Sequence, residues 1–530
     1  MTSESEFSFT RVDVNEIKLE IKSLNCKKNG TFMNIPTKQL KNTINIVSET
    51  LMHIWNEQIV KNMEFPAKLK LADISPIHKK LESISKENYR PVSVLPTVSK
   101  IFERLMQKQM NKFIGNHLSP YLCGYRKGYN SQYALLSMIE KWKKSLDNHG
   151  IAGGILMDLS KVFDTVNHEL LIAKLHAYGF SKNALELILN YLKNRWHRTK
   201  INLSYSSWAE LLSGVPQGTV LGPLLFNIYI NDLFYIFTNT DVCNLADDTT
   251  PYACDTNLSN LMHNLESDTT SAIMWFEANY MKLNEDKCHF LFAGNISEHI
   301  YANIGNKIIW ESSHEKLLGL MIDKKLSFET HLNNICKKAS SKVTALSRMF
   351  NFIPMKKKRL LMKAFIESQF SYCSLLWMFC SRNMNNRINH IHERALRLVY
   401  EDYTSSFDEL LLMDNSFCIH HRNIQKVAIE MFKIKNNMAP ILISDLFNFQ
   451  NCKRTKSSFQ RPKINSVHYG VNSLRNFGPI VWDNMIPKAF HSIDNLEMFK
   501  KEIKNWKPDN CTCRLCREYV HNIGFVAIQK

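Results

Sequence analysis

Leu40, Ile44, Val47, Leu51 and Ile54 recur at three- and four-residue steps, so residues 1–65 carry a helical rhythm. A long apolar-and-basic stretch follows from Pro66 to Gly128, punctuated by Pro76, Pro91, Pro96 and Pro120. Residues 151–157 form a short continuous apolar run that stops at Asp158, the pattern of a buried strand delivering an acid at its end. Helical spacing resumes over 170–192, residues 208–212 predict a short strand, and Gly214-Val-Pro-Gln-Gly218 predicts a turn. A helix opens near Pro223, where the first turn tolerates proline. Residues 242–246 and 249–253 predict two short strands, which places Asp247 and Asp248 at a hairpin tip, although Asp-Asp is not the strongest turn dipeptide. Leu258, Leu261, Met262, Leu265, Ala272, Ile273 and Phe276 share a helical face, and strands are expected around 288–293 and 317–322. In a helix from about 331 to 350, Leu332, Ile335, Ala339, Val343, Leu346 and Phe350 line one face, with Lys337, Lys338 and Arg348 on the other.

Composition narrows the class. With 530 residues, 45% of them apolar, two to four domains are expected. A net charge of +18 favours a polyanionic partner without specifying a fold. The surplus is concentrated after Asp323: residues 321–400 hold 15 Lys and Arg against 4 Asp and Glu. No run approaches a membrane span, and the polar, acidic N-terminus argues against a signal peptide. Thirteen scattered cysteines fit reduced intracellular thiols rather than a disulfide framework.

Adjacent carboxylates repel, and nothing before Asp247 offers a basic partner; a hard cation between the acids would remove the conflict. An isolated Asp-Asp is most simply a solvated turn, so its surroundings decide. Those surroundings include Ala72-Asp-Ile-Ser-Pro-Ile-His-Lys-Lys80, Asn88-Tyr-Arg-Pro-Val-Ser-Val94 and Gly124-Tyr-Arg-Lys-Gly-Tyr-Asn-Ser131. Then come Met157-Asp-Leu-Ser-Lys-Val-Phe-Asp-Thr-Val-Asn-His168, Gly214 to Pro223, Leu245-Ala-Asp-Asp248, Leu283-Asn-Glu-Asp-Lys287 and Lys316 to Asp323. These blocks, in this order over about 71–327, resemble the reverse transcriptase of jockey-like non-LTR (LINE-type) retrotransposons.

The resemblance implies an α+β right-hand polymerase of fingers, palm and thumb, with an antiparallel palm sheet and a mainly helical, basic C-terminal region. It divides the chain into a helical extension (1–65), fingers and palm (66–325), a basic thumb-like region (326–400) and a C-terminal region with a Cys-rich tail (401–530). Asp158, Asp247 and Asp248 would be ligands of two Mg2+ ions, or Mn2+, in nucleotidyl transfer. Phe163 would block a ribose 2′-hydroxyl, and Arg90 would grip the triphosphate, helped by one of Lys79, Lys80 and Lys86. Gln217 would pack beside nucleotide and template, Lys287 would protonate the pyrophosphate, and Arg126 would contact template or stabilise the fingers. RNA template, DNA primer and deoxynucleoside triphosphates are the implied partners, with no membrane. The implied location is nucleus and cytoplasm, without a targeting signal in the sequence.

Two positions depart from the family pattern: Leu245 replaces Phe or Tyr, and Val162 replaces Ala, which would crowd the nucleotide and impair activity. Related elements carry an endonuclease ahead of the polymerase, and residues 1–65 are too short for one, so the chain is expected to be the polymerase part. Cys511, Cys513, Cys516 and His521 could supply four Zn2+ ligands, although the spacing is tighter than in common structural sites and free thiols are the plainer reading. The competing function is a non-catalytic nucleic-acid-binding relic. An RNA-dependent RNA polymerase stands third, and Phe163 argues against it.

Overall fold

The computed structural model describes residues 6–25, 35–79, 82, 84–160, 162–296, 299–350, 352–450, 458–508 and Leu515. They group into two compact units that do not follow the serial order of the chain. The first comprises Met1–Tyr125, Leu159–Ile236 and Ser271–Asn284; the second comprises Arg126–Asp158, Phe237–Thr270 and Glu285–Lys530. In chain order the strands that matter are β1 (Leu71–His78), β2 (Tyr89–Val94), β3 (Ile151–Leu156), β4 (Arg195–Ile201), β5 (Ser204–Tyr205) and β6 (Ala209–Leu211). They continue with β7 (Asp241–Leu245), β8 (Asp248–Asp255), β9 (His289–Ala293), β10 (Tyr301–Ile304) and β11 (Lys307–Ser312).

The first unit holds a five-stranded sheet, β2-β1-β4-β5 with β6 also on β4. Helix α1 (Thr97–Ile114) follows Pro96 and buries Ile101, Phe102, Leu105, Met106 and Met110, a helical stripe of apolar side chains. One of its polar positions is also buried: Glu103 accepts the Val220 N–H at 2.6 Å and the Tyr191 hydroxyl at 3.0 Å. The N-terminal extension is helical as expected, beginning with Val14–Ser23, whose Asp13 and Glu16 form a capping box.

The second unit is built on a six-stranded sheet in the order β10-β11-β9-β3-β8-β7. Its pairs are antiparallel except β9 with β11, which run parallel, so the sheet is mixed where an antiparallel one was expected. Every residue of β3 is buried, which explains its unbroken apolar run. A Cβ at Gly154 would sit 3.2 Å from the Trp142 ring, so glycine lets helix α2 (Ser131–Asp147) pack closely on the strand.

Helix α2 also carries buried charge, and its partners come from the C-terminal region. Glu140 accepts the N–H groups of Leu474 and Arg475, both at 3.0 Å. Those are orphan donors at the start of the helix Leu474–Ile480. Asp147 accepts the N–H and the hydroxyl of Ser466, each at 2.7 Å, and Tyr133 donates to Glu430 at 2.6 Å. Residues 326–400 are helical, with α3 (Glu329–Phe350) and α4 (Met355–Phe365) leading. The predicted face of α3 is right: Leu332, Ile335, Ala339, Val343 and Phe350 are buried and Lys337, Lys338 and Arg348 exposed, with Leu346 half-buried. No helix among the described residues is long and apolar enough to cross a membrane. Eight described cysteines are free thiols.

Candidate active site

The acids are assembled within the second unit by strand register. β7 and β8 form a hairpin in which Leu245 pairs with Asp248, leaving Ala246 and Asp247 as a two-residue turn. Ala246 takes φ +59°, a left-handed geometry that costs a non-glycine residue roughly 1–2 kcal/mol. The fully buried Asn244 holds it there: its amide donates to Ala246 O at 3.1 Å, Asp248 O at 3.3 Å and Thr249 Oγ1 at 3.0 Å. On the other side of β8, Gly154 pairs with Tyr252 and Met157 bridges Thr249, so one residue further Asp158 faces Asp248. The turn Glu285–Lys287 brings Lys287 Nζ to 3.4 Å from Asp158 Oδ2. Both side chains of that ion pair are well exposed, so its own contribution to stability is small.

Charge is concentrated at this strand end. Loss of solvent, then the neighbouring charges of Asp247 and Asp158, push the Asp248 carboxyl up to about 6. The donor set is all hard oxygen, the kind Mg2+ prefers. Among the described residues, no three His, Cys, Asp or Glu side chains converge closely enough to hold an ion as they stand. Asp158 is instead shared with Lys287.

The second group of expected residues lies in the first unit. Phe163 stacks on Phe226 with centroids 4.5 Å apart and meets Tyr125 edge-on at 6.0 Å. The glycine turn is bolted to the same segment: Gly214 N–H donates to Val166 O at 2.9 Å and Val215 N–H to Phe163 O at 2.8 Å. Gly214 has φ +82°, and a Cβ there would meet Phe163 O at 2.6 Å and Asp164 Cα at 2.7 Å, so side chain and backbone both require glycine. Gln217 donates from Nε2 to Asp164 Oδ1 at 3.2 Å, and its carbonyl accepts the Ser93 N–H of β2 at 2.7 Å. Phe163 and Gln217 are thus brought together, beside a cavity of about 340 Å³ lined by Pro91, Ser93, Asp164, His197, Gly214 and Gln217, among others.

Arg90 is exposed on β2, paired across the strands with Ile77. Lys79 and Lys86 are also exposed, and Lys80 lies outside the described residues. Arg126, in the second unit, has its guanidinium 4.3 Å above the Tyr129 ring. Cys511, Cys513, Cys516 and His521 lie outside the described residues. Val162, expected to crowd the nucleotide, is 3% exposed, its methyl groups packed into the interior. Leu245, half-buried, pairs with Asp248 beside the turn.

Two residues at these sites carried no readable signal. Asn244 sits inside a mostly apolar run, and Glu103 occupies a polar helical position. Both hold a turn by bonds that only the folded chain reveals.

Residues 77–328 match the family described as reverse transcriptase (RNA-dependent DNA polymerase). The chain is similar to the probable RNA-directed DNA polymerase from transposon BS of Drosophila melanogaster, 27% identical over 407 residues, which is 73% of this chain and 44% of that protein. It is also similar to the RNA-directed DNA polymerase from mobile element jockey of the same organism, 24% identical over 349 residues, 63% of this chain and 38% of that protein. A third relative, the probable RNA-directed DNA polymerase from transposon X-element, is 25% identical over 362 residues, 64% of this chain and 39% of its own length. The chain therefore spans less than half the length of these curated relatives.

Proposed function

We propose that the chain is an RNA-directed DNA polymerase of a jockey-like non-LTR element, extending a DNA 3′-end on an RNA template with deoxynucleoside triphosphates. Residues 66–325 would serve as fingers and palm, 326–400 as thumb. The observation that carries the reading is the alignment of Asp158 with Asp248 on one side and Lys287 on the other at the end of the central strand. Asp158, Asp247 and Asp248 would hold Mg2+ or Mn2+. When bound, such ions activate the primer 3′-hydroxyl and neutralise the leaving pyrophosphate.

The chain's own residues do the rest. Lys287, paired with Asp158 at 3.4 Å, would donate a proton to the departing pyrophosphate oxygen. Arg90 offers two parallel N–H groups to the triphosphate, a geometry an ammonium lacks. Phe163, braced by Phe226, presents a rigid ring that leaves no room for a ribose 2′-hydroxyl. Gln217, fixed through Asp164 and Ser93, orients the nucleotide against the template. Cys511, Cys513, Cys516 and His521 take no part in this reading.

The test is Mg2+-dependent incorporation of deoxynucleotides on an RNA template, abolished by Asp247→Ala. A parent that incorporates nothing, while nucleic-acid binding survives Asp247→Ala, would instead establish the relic reading. Equal use of ribonucleotides would count against Phe163 as the sugar gate.

A further inference from the structure

Two cations are buried in the first unit beside its five-stranded sheet. Lys70, just ahead of β1, is 4% exposed, and Arg195, the first residue of β4, is 2% exposed. Lys70 Nζ donates to Asn190 O at 2.6 Å and to Asn190 Oδ1 at 2.9 Å, both uncharged acceptors. Arg195 donates from Nη1 to Tyr191 O at 2.8 Å, and its guanidinium lies 4.6 Å above the Tyr191 ring. Its Nη2 is buried without a hydrogen-bond partner. No ion pair among the described residues engages either cation.

The acids whose charge reaches them offset little. Glu103 acts on Arg195, but burial pushes its carboxyl up, and it already accepts the Val220 N–H and the Tyr191 hydroxyl. Glu64 acts on Lys70 from an exposed position. Burial, and then the charge of Arg195, pushes the Lys70 ammonium down to about 8. A buried charge is costly to hold unless an opposite charge comes to it.

Both cations line the cavity of about 340 Å³ beside the Gln217 turn. The sheet supplies one wall: Ala72 pairs with His197, Ile74 with Thr199 and Ser93, and all five border the space. The turn supplies another through Val215, Pro216 and Gln217. Of the residues expected to touch nucleotide, Gln217 borders the cavity, whereas Phe163 and Arg90 do not. The acid on its wall, Asp164, is exposed and accepts Gln217 Nε2. Apolar walls with a few polar groups, at this volume, are the make-up of a small-ligand site.

We infer that the cavity binds a small organic anion, a carboxylate or phosphate carried on an apolar body, with Lys70 and Arg195 receiving the charged head and Ile74, Val215 and Pro216 the body. Arg195 Nη2 is the donor left for the head, and Asn190 takes only two of the three Lys70 donors. An inorganic anion would leave the apolar walls uncovered, and a neutral apolar molecule would leave the charges unmet. A nucleic-acid phosphate, flanked by sugars on both sides, is a poor fit to cations only 2% and 4% exposed. The ligand would border Gln217 and is expected to alter nucleotide incorporation; that consequence alone rests on the polymerase reading.

The test is calorimetric titration of the full chain, in EDTA and without nucleotide. Phenyl phosphate and benzoate are the probes, with inorganic phosphate and benzyl alcohol as controls. Each probe should bind saturably and about tenfold more tightly than its control, since burying the ring and meeting the charge each contribute about that factor. Lys70→Met should weaken probe binding about tenfold, the loss of one charge-assisted hydrogen bond. Ile74→Trp fills the cavity, keeps both cations and should abolish binding, so the outcome does not depend on Lys70→Met alone; melting curves check that each variant folds. No binding by the parent would overturn the inference. So would inorganic phosphate binding as tightly as phenyl phosphate, benzyl alcohol as tightly as benzoate, or probe binding that neither folded variant changes. Probe binding by a parent that incorporates no nucleotide would leave the site standing and remove the catalytic reading alone.

Discussion

Gly214→Ala tests whether the glycine turn positions Phe163. The substitution meets two obstacles. Alanine at φ +82° costs roughly 1–2 kcal/mol. Its Cβ would also lie 2.6 Å from Phe163 O, whereas ordinary contact begins at 3.4 Å, so turn and segment must separate by 0.8 Å, the difference of the two. That separation strains the Gly214–Val166 and Val215–Phe163 hydrogen bonds, each worth about 1 kcal/mol. A total loss of about 2–4 kcal/mol follows if the turn stays in place. A displacement near 1 Å at a substrate-positioning group costs on the order of 100-fold in rate. Gly128→Ala is the control: its φ is +87°, but nothing lies within 4 Å of the added Cβ, so it bears only the backbone strain. Thermal melts should separate the two variants. Single-nucleotide incorporation should show Gly214→Ala about 100-fold slower, with weaker rejection of ribonucleotides. If Gly214→Ala melts with Gly128→Ala and keeps the parent's discrimination, the turn does not position Phe163.

Asn244→Ala removes the shared amide bonds to Ala246 O, Asp248 O and Thr249 Oγ1 and should cost about 2–4 kcal/mol, lowering incorporation while leaving RNA–DNA hybrid binding intact. Val162→Ala removes two buried methyl groups; a stability loss of about 2 kcal/mol, read as a lower melting point, and no gain in rate are expected, and a faster enzyme would support the crowding idea. His331 is buried, and burial together with Lys338 depresses its imidazole to about 4 in the fold, against 6.5 unperturbed. The unfolded chain therefore binds the extra proton first, so stability is complete above about pH 6.5 and is lost as pH falls through 4. The loss is of order 3 kcal/mol at most, and His331→Asn should flatten that part of a melting-point profile. Asp147→Ala strands the N–H and hydroxyl of Ser466, and hydrogen exchange should show residues 464–476 losing protection before the sheet does.

Local patterns were legible wherever one element determined them. The apolar run before Asp158 became β3, the runs flanking Asp247 and Asp248 became a hairpin, and the α3 stripe fell on the predicted face. The stretch 170–192 read as continuous helical spacing, yet it is two helices, His168–Ala177 and Lys182–Leu192. Gly179 at φ +88° stops the first and Ser181 caps the second, and both signals were present in the sequence. What could not be read is polar and non-local. Glu103, Glu140 and Asp147 look like solvated positions on amphipathic helices because their partners are backbone N–H groups more than a hundred residues away. The parallel pairing of β9 with β11 likewise leaves no mark on either strand.

The departures from the family pattern weigh differently once burial is known. Neither Val162 nor Leu245 supplies a charged or hydrogen-bonding group, and the sequence keeps the acids, Lys287, Phe163 and Gln217. Val162 is buried, so the substitution acts on interior packing. Leu245 is different, because it pairs directly with Asp248 and shares a turn already strained at Ala246. Any loss of activity traced to these two positions should therefore map to the hairpin, whose strained turn Asn244 holds, before it maps to Val162.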